Sequence, residues 1–208
     1  MKPIVVIGEG GHSKVIQDII AAEGRYQMIA VLDDKYAEVF EKDHVLIGPI
    51  SYAEKLIEET DAGFVIAIGN NRVREKIVKT LFKVGAVFKT VVHPFTSISP
   101  SARIGAGTVI MAGSVINADA IIGEHAIINS GAIVEHDNQI GDFAHISPGA
   151  VLTGNVSVGT GAHIGAGATV IPGKTVGDWS VVGGGTVVIN DISGDVTVIG
   201  VPAKVMKK

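Results

Sequence analysis

Aliphatic residues recur every six positions from residue 98 to residue 188, and no other feature of the chain limits its fold so sharply. Ile98, Ile104, Ile110, Ile116, Ile122, Ile128, Val134, Ile140, Ile146, Leu152, Val158, Ile164, Val170, Val176, Val182 and Val188 make sixteen repeats without a slip. Two residues before each stands Ala, Ser or Thr in thirteen of the sixteen, the exceptions being Asn138, Val156 and Lys174. A period of six fits neither the α-helix nor the two-residue strand alternation, and is the mark of a parallel β-helix. Three short strands then make one triangular turn, so residues eighteen apart in sequence stack one strand spacing, about 4.8 Å, apart. A sandwich would instead show strands about 8 to 12 residues apart with hairpin turns between them. The unbroken period predicts about five coils without an extruded loop. Handedness stays open, because parallel crossovers are right-handed as a rule.

Residues 1–92 read differently, as strands alternating with helices. Strands are expected at Pro3 to Ile7, Met28 to Leu32, Val45 to Ile47, Phe64 to Ile68 and Ala86 to Val92, and helices over Ser13 to Ala22, Tyr52 to Glu59 and Arg72 to Val84. The expected organisation is therefore a Rossmann-like α/β domain over 1–92 and an all-β hexapeptide-repeat domain with a C-terminal tail over 93–208. About 90 residues make one mononucleotide-binding half rather than the pair, which counts against an NAD-dependent reductase.

Composition narrows the function. A net charge of −4 with scattered Lys and Arg gives no basic stripe for nucleic acid. No cysteine is present, so disulfides and thiolate chemistry are excluded and a reducing, cytoplasmic setting fits. No uncharged apolar run is long enough to span a membrane or serve as a signal peptide.

Two places carry chemistry. The first strand ends in Gly8-Glu9-Gly10-Gly11-His12-Ser13, a glycine turn opening a helix, where backbone N–H groups can hold a phosphate. Asp33 follows about 20 residues on, where a ribose hydroxyl acceptor is expected. Asp33-Asp34 and Gly69-Asn70-Asn71 close two further strands, and ligands of open α/β sheets bind beyond such carboxyl ends. In the repeat, His136 and Asp137 fall two and three positions past the inward Val134, at a corner. An imidazole beside a carboxylate is the makeup of a general base. His145 and His163 both precede an inward residue and so point outward, stacked on one face. His125 reads as solvated. No histidine pair has the close spacing of a shared metal site, so no metal is expected.

The Gly10-Gly11-His12 turn, Leu32-Asp33-Asp34, Ala67 to Asn71, His93-Pro94, Asn129-Ser130-Gly131, Glu135-His136-Asp137 and the ending Gly200 to Lys204 together resemble the bacterial sugar O- and N-acetyltransferases of the hexapeptide-repeat acyltransferase superfamily. That family includes enzymes acetylating the 4-amino group of UDP-linked sugars in bacillosamine synthesis, and sialic-acid O-acetyltransferases. The resemblance implies a left-handed coil, a homotrimer with active sites at subunit interfaces, and acetyl-CoA as co-substrate. It implies His136 as general base supported by Asp137, a shorter acid than the Glu that relatives often carry. It places acetyl-CoA at His145, Ala166 and Gly184, and a UDP-sugar at Gly10, Gly11, His12, Asp33, Asp34 and Gly69. Transfer would be direct, since neither Cys nor a His-paired Ser offers a covalent intermediate. An O-acetyltransferase acting on sialic acid or another sugar hydroxyl, and a non-enzymatic nucleotide-binding scaffold, are the competing readings.

Overall fold

The computed structural model describes residues 1–206, which divide into two compact units, Met1–Pro94 and the residues from Phe95 on. The first contains β1 (Lys2–Ile7), α1 (Gly11–Glu23), β2 (Tyr26–Leu32), β3 (Phe40–Lys42), β4 (Val45–Gly48), α2 (Ala53–Glu59), β5 (Gly63–Ile66), α3 (Asn71–Lys83) and β6 (Val91–Val92). Its sheet runs β3-β4-β2-β1-β5 and is parallel except for the β3–β4 pair. Ile4 to Ile7, Ala30 to Leu32 and Phe64 to Ile66 are buried almost completely, as expected of central parallel strands covered on both faces. The carboxyl ends of β2, β1 and β5 lie side by side, so the three polar or glycine-rich turns after them share one edge.

Two features depart from the sequence expectation. The strand β3 forms a hairpin with β4 through Asp43 and His44, both at positive φ (50° and 64°), a turn that contains no glycine to announce it. The stretch expected as one strand from Ala86 to Val92 gives only a bridge between Phe64 and Phe88 and the two residues of β6.

The second unit is the expected coil. Two-residue strands stack in three parallel faces. Face 1 runs from Ser97–Ile98 through Ile133–Val134 to Val187–Val188, face 2 from Arg103–Ile104 through Gln139–Ile140 to Thr175–Val176, and face 3 includes Val109–Ile110, His145–Ile146, His163–Ile164 and Val181–Val182. From Ser97 to Val188 the registers pair residues eighteen apart, as in Ile133↔Val151 and His145↔His163, and only the last turn is shorter, with Val181↔Thr197 sixteen apart. The inward aliphatic column is buried from Ile110 to Val188, and the small residues two before it let the corners close. Asn138, the polar exception, is fully buried yet satisfied: its side chain donates to Leu152 O and accepts from Val156 N. After Val188 the coil ends in a strand at Thr197–Ile199 paired antiparallel with Lys204–Val205.

Candidate functional site

In the first unit the predicted residues converge on the shared strand edge. Gly8 has φ +104°, and a Cβ there would meet Ile68 Cγ1 at 2.8 Å and Ala67 O at 3.0 Å, so this glycine is required by the close approach of the β1 and β5 turns. Gly10, Gly11 and Gly69 differ: a Cβ on any of them would meet nothing within 4 Å. Their backbone faces open space, which suits a ligand that lies against main chain. Gly10 caps α1 without a side-chain hydrogen bond, at a helix N-terminus, the kind of end that suits an anionic ligand.

Asp33 shapes this loop directly. Its carboxylate accepts from Glu9 N at 2.7 Å and Lys35 N at 3.0 Å, holding the glycine turn against the end of β2. Lys35 Nζ donates to Glu9 O at 3.1 Å and pairs with the Glu9 carboxylate at 3.2 Å. Burial works against ionisation of Glu9, but hydrogen bonds from Tyr36 and Lys35 prevail and hold its carboxyl below the ordinary value. Asp34 accepts from Ile50 N at 3.1 Å and so orders the single 3-10 turn before α2.

Sequence reasoning missed Arg74. This α3 side chain is only 1% exposed and donates to Ile68 O at 2.9 Å, Gly69 O at 3.3 Å and Asn71 Oδ1 at 2.9 Å. It therefore fixes the turn that carries Gly69, while Asn70 caps α3 by accepting from Val73 N. Burial lowers the Arg74 pKa to about 9. Burial, then the Arg74 charge, lowers that of His12 to about 4. His12 is consequently a neutral imidazole at physiological pH, able to hydrogen-bond a ligand but not to neutralise a phosphate.

In the coil, His136 and Asp137 stand at the corner between faces 1 and 2. Asp137 takes φ +61°, turning the chain so that the two side chains meet, with Nδ1 donating to Asp137 Oδ2 at 2.7 Å. His136 is 60% exposed at its side chain, so the pair is open to a partner or substrate. The hydrogen bond to Asp137 is the main cause that raises the His136 pKa; slight burial opposes it, and the charges of Asp137 and Glu135 add to it. With Nδ1 engaged, Nε2 is the atom left to accept a proton.

The acetyl-CoA candidates lie elsewhere on the same coil. His145 is on face 3, beside His163 with ring centroids 4.8 Å apart. Both project outward as expected, yet His145 is only 8% exposed; its Nε2 meets Asn129 Nδ2 at 3.0 Å, and His163 Nε2 meets Ser147 Oγ at 3.0 Å. Ala166 and Gly184 occupy one corner, between faces 3 and 1, in successive coils: Gly185 N donates to Ala166 O, and a Cβ on Gly184 would come within 3.4 Å of that oxygen. The corner bearing His136 is the one opposite face 3. A groove of about 340 Å³ along face 2, lined by Gln139, Ser157 and Thr175 among others, contains none of the predicted residues.

His125 corrects the sequence reading. It is 4% exposed rather than solvated, because at its corner (φ +54°) the ring stacks on Phe143 eighteen residues on, with centroids 5.3 Å apart and planes 8° from parallel. Among the described residues no group of three His, Asp or Glu side chains is placed to hold a metal ion, and no helix is long and apolar enough to cross a membrane.

Comparison with known proteins joins the two units. Residues 3–81 match the family described as the PglD N-terminal domain, and residues 76–182 match the GMPPB C-terminal domain. Over 115 residues the chain is 47% identical to the UDP-N-acetylbacillosamine N-acetyltransferase of Bacillus subtilis (strain 168); the match spans 54% of this chain and 52%, about half, of that relative's length. The crystal structure of PerB from Caulobacter crescentus, in complex with CoA and GDP-perosamine, superposes with a TM-score of 0.92 at 39% identity, covering 100% of this chain and 98% of that one. The acetyltransferase domain of PglB from Neisseria gonorrhoeae, in complex with acetyl coenzyme A, gives 0.91 at 37% identity, covering 99% of each.

Proposed function

Since the chain belongs to the hexapeptide-repeat acyltransferases with a PglD-type N-terminal domain, a Rossmann-like unit followed by a left-handed parallel β-helix, we propose that it transfers the acetyl group of acetyl-CoA to the amino group of a nucleotide-linked amino sugar. The observation that carries this reading is the His136–Asp137 pair: an exposed imidazole with one nitrogen held by a carboxylate at 2.7 Å and the other free. An N-acetyltransferase needs such a base, because the attacking amine must lose a proton as the C–N bond forms.

In the proposed reaction the sugar amine attacks the thioester carbonyl and His136 Nε2 takes the amine proton. Collapse of the tetrahedral species breaks the C–S bond, and the proton passes to the departing CoA sulfur. Asp137 holds the imidazole in the tautomer with Nδ1 protonated and stabilises the imidazolium. The nucleotide is assigned to the open backbone of Gly10, Gly11 and Gly69, with His12 as a neutral hydrogen-bonding group. Asp33 and Asp34 act chiefly by ordering the loops around it, through the backbone N–H groups they accept from.

Acetyl-CoA is assigned to face 3 and the adjoining corner, at His145, Ala166 and Gly184. Because His136 lies at the opposite corner of its own coil, the base and the CoA surface that serve one reaction belong to neighbouring copies. A closed homotrimer with one active site at each subunit interface satisfies this requirement. The proposed setting is the cytoplasm.

The acceptor is proposed to be the 4-amino group of a UDP-linked amino-dideoxy sugar, supported by the 47% identity to the Bacillus subtilis enzyme. A GDP-linked 4-amino sugar is the second reading, favoured by the full-length likeness to the protein crystallised with GDP-perosamine. The test is CoA release from acetyl-CoA with a UDP-linked 4-amino-4,6-dideoxy-N-acetylhexosamine and with GDP-perosamine, scored for amide product. Turnover with the UDP-sugar supports the first assignment; turnover with GDP-perosamine alone replaces it with the second. Turnover with neither, but with a sugar hydroxyl, overturns N-acetylation.

A further inference from the structure

We infer that Gly154 is a positioning residue for the His136 imidazole, its missing side chain leaving the volume in which the ring lies against the next coil. This rests on the base role proposed above for His136, and it concerns a residue eighteen positions further on.

Two ordinary reasons for a glycine do not apply at 154. The first is backbone conformation. The turn glycines of the coil, such as Gly113, Gly131 and Gly149, have φ between 65° and 75° and occupy the left-handed region that disfavours side chains. Gly154 is not among the positive-φ residues. Its column also contains Ala118 and Pro172, one coil to either side of the His136–Gly154 pair, so the backbone at this register accepts a Cβ. The second reason is crowding by main chain. At Gly105, Gly123, Gly141, Gly159, Gly165 and Gly177 an added Cβ would come within 3 Å of backbone atoms of the next coil, and the coil itself excludes it.

At Gly154 the three nearest atoms all belong to one ring. A Cβ would lie 2.6 Å from His136 Cε1, 2.6 Å from Nε2 and 3.4 Å from Cδ2. Among the described glycines of the coil outside the left-handed region, no other has an aromatic or imidazole ring supplying all three of its nearest atoms. The ladder around the pair is intact without a side chain: Asn155 N donates to His136 O at 2.9 Å, and Gly173 N to Gly154 O at 3.0 Å. The glycine therefore serves the imidazole rather than the coil.

The consequence is chemical. The ring is pinned by Asp137 at Nδ1 and rests on Gly154 at its Nε2–Cε1 edge. A methyl group at 154 would stand 2.6 Å from that edge, too close for both to keep their places, and the ring that yields draws Nδ1 away from Asp137. The His136 side chain is exposed and free to yield, so displacement costs orientation rather than folding. The charged groups acting on His136 are Asp137 and Glu135, and the neighbouring coils present Ala118 with Asp119 on one side and Gly154 with Asn155 on the other. Losing the Asp137 hydrogen bond removes the main influence that raises the His136 pKa.

The experiment is a 15N-histidine NMR titration of the full chain as wild type, Gly154→Ala and Asp137→Asn, joined to CoA-release rates for Gly154→Ala, His136→Ala and the double variant. The expected result is a His136 pKa that falls in Gly154→Ala toward that of Asp137→Asn, with unchanged thermal unfolding. The rate should drop on the order of a hundredfold, the usual consequence of misplacing a catalytic group by about 1 Å. In the double variant no further loss beyond His136→Ala is expected. An unchanged His136 pKa, a rate loss that persists undiminished without His136, or a Gly154→Ala chain that does not fold would each overturn the inference. The titration needs no substrate, so it stands apart from the acetyl-transfer reading: absence of turnover in the wild type refutes that reading while the pKa comparison still decides this one.

Discussion

The two units offer a ligand opposite kinds of surface. In the α/β unit the proposed contact surface is main chain: Gly10, Gly11 and Gly69 present bare backbone, and the charged side chains around them, Asp33, Asp34 and the buried Arg74, hydrogen-bond to the loops and brace them. In the coil the main chain is consumed by the ladder between successive turns, so the proposed chemistry falls to side chains, the exposed His136 with Asp137 at one corner and His145 on a face. A sheet with loops at its strand ends can cradle a nucleotide by shape. A loopless coil can offer only a row of positions repeating every eighteen residues, and must specialise single members of that row.

The contrast is broken most directly at the two cores. Phe64→Ala, fully buried in the first unit, is expected to cost about 3–5 kcal/mol, and Ile128→Ala in the coil about 2–5 kcal/mol. Hydrogen exchange should show each loss confined to its own unit, with the coil's loss greatest in the turns adjoining residue 128, since repeat stability sums over nearest neighbours. A loss spread evenly over all 206 described residues would contradict two separately organised units.

Arg74→Met sharpens the claim that the first unit binds through braced backbone. It strips the donor from Ile68 O, Gly69 O and Asn71 Oδ1, at about 1–3 kcal/mol for a buried group left unsatisfied. KM for the nucleotide sugar should rise with kcat little changed, and the His12 pKa, read by NMR, should move up from about 4 as the neighbouring cation disappears. A kcat effect with constant KM would place Arg74 in the chemistry instead.

Much of the coil was legible in the sequence because each side chain's direction follows from its register, and register is fixed by the sixfold column. The pairing of His136 with Asp137 was legible for the same reason. His125 was misread because corner residues stack on their neighbours eighteen positions away, and Phe143 at that separation was the available signal. In the first unit the strand ends were legible from apolar runs. Arg74 was not, since a charged residue on an amphipathic helix ordinarily faces water, and only the carbonyls of the β5 turn explain its burial. The β3–β4 hairpin was hidden because Asp43 and His44 adopt the positive φ values that Asn-Gly or Gly-Gly would have advertised.

The smallest expected effect separates support of the base from the base itself. Asp137 raises the His136 pKa, so its change to Asn lowers it. The imidazole is then neutral at lower pH, and the acid limb of the kcat/KM profile should move to lower pH, with a weaker base and a lower plateau above it. An acid limb that stays in place would show that His136 is not the group being titrated.

The central claim is that His136 removes the acceptor proton, and the direct measurement is the rate of CoA release by His136→Ala at saturating acetyl-CoA and nucleotide amino sugar, across pH. The account predicts a loss of about 100- to 10,000-fold in kcat, the usual contribution of a positioned general base, together with loss of the acid limb and unchanged substrate binding. A variant that keeps its rate and its pH profile would contradict it.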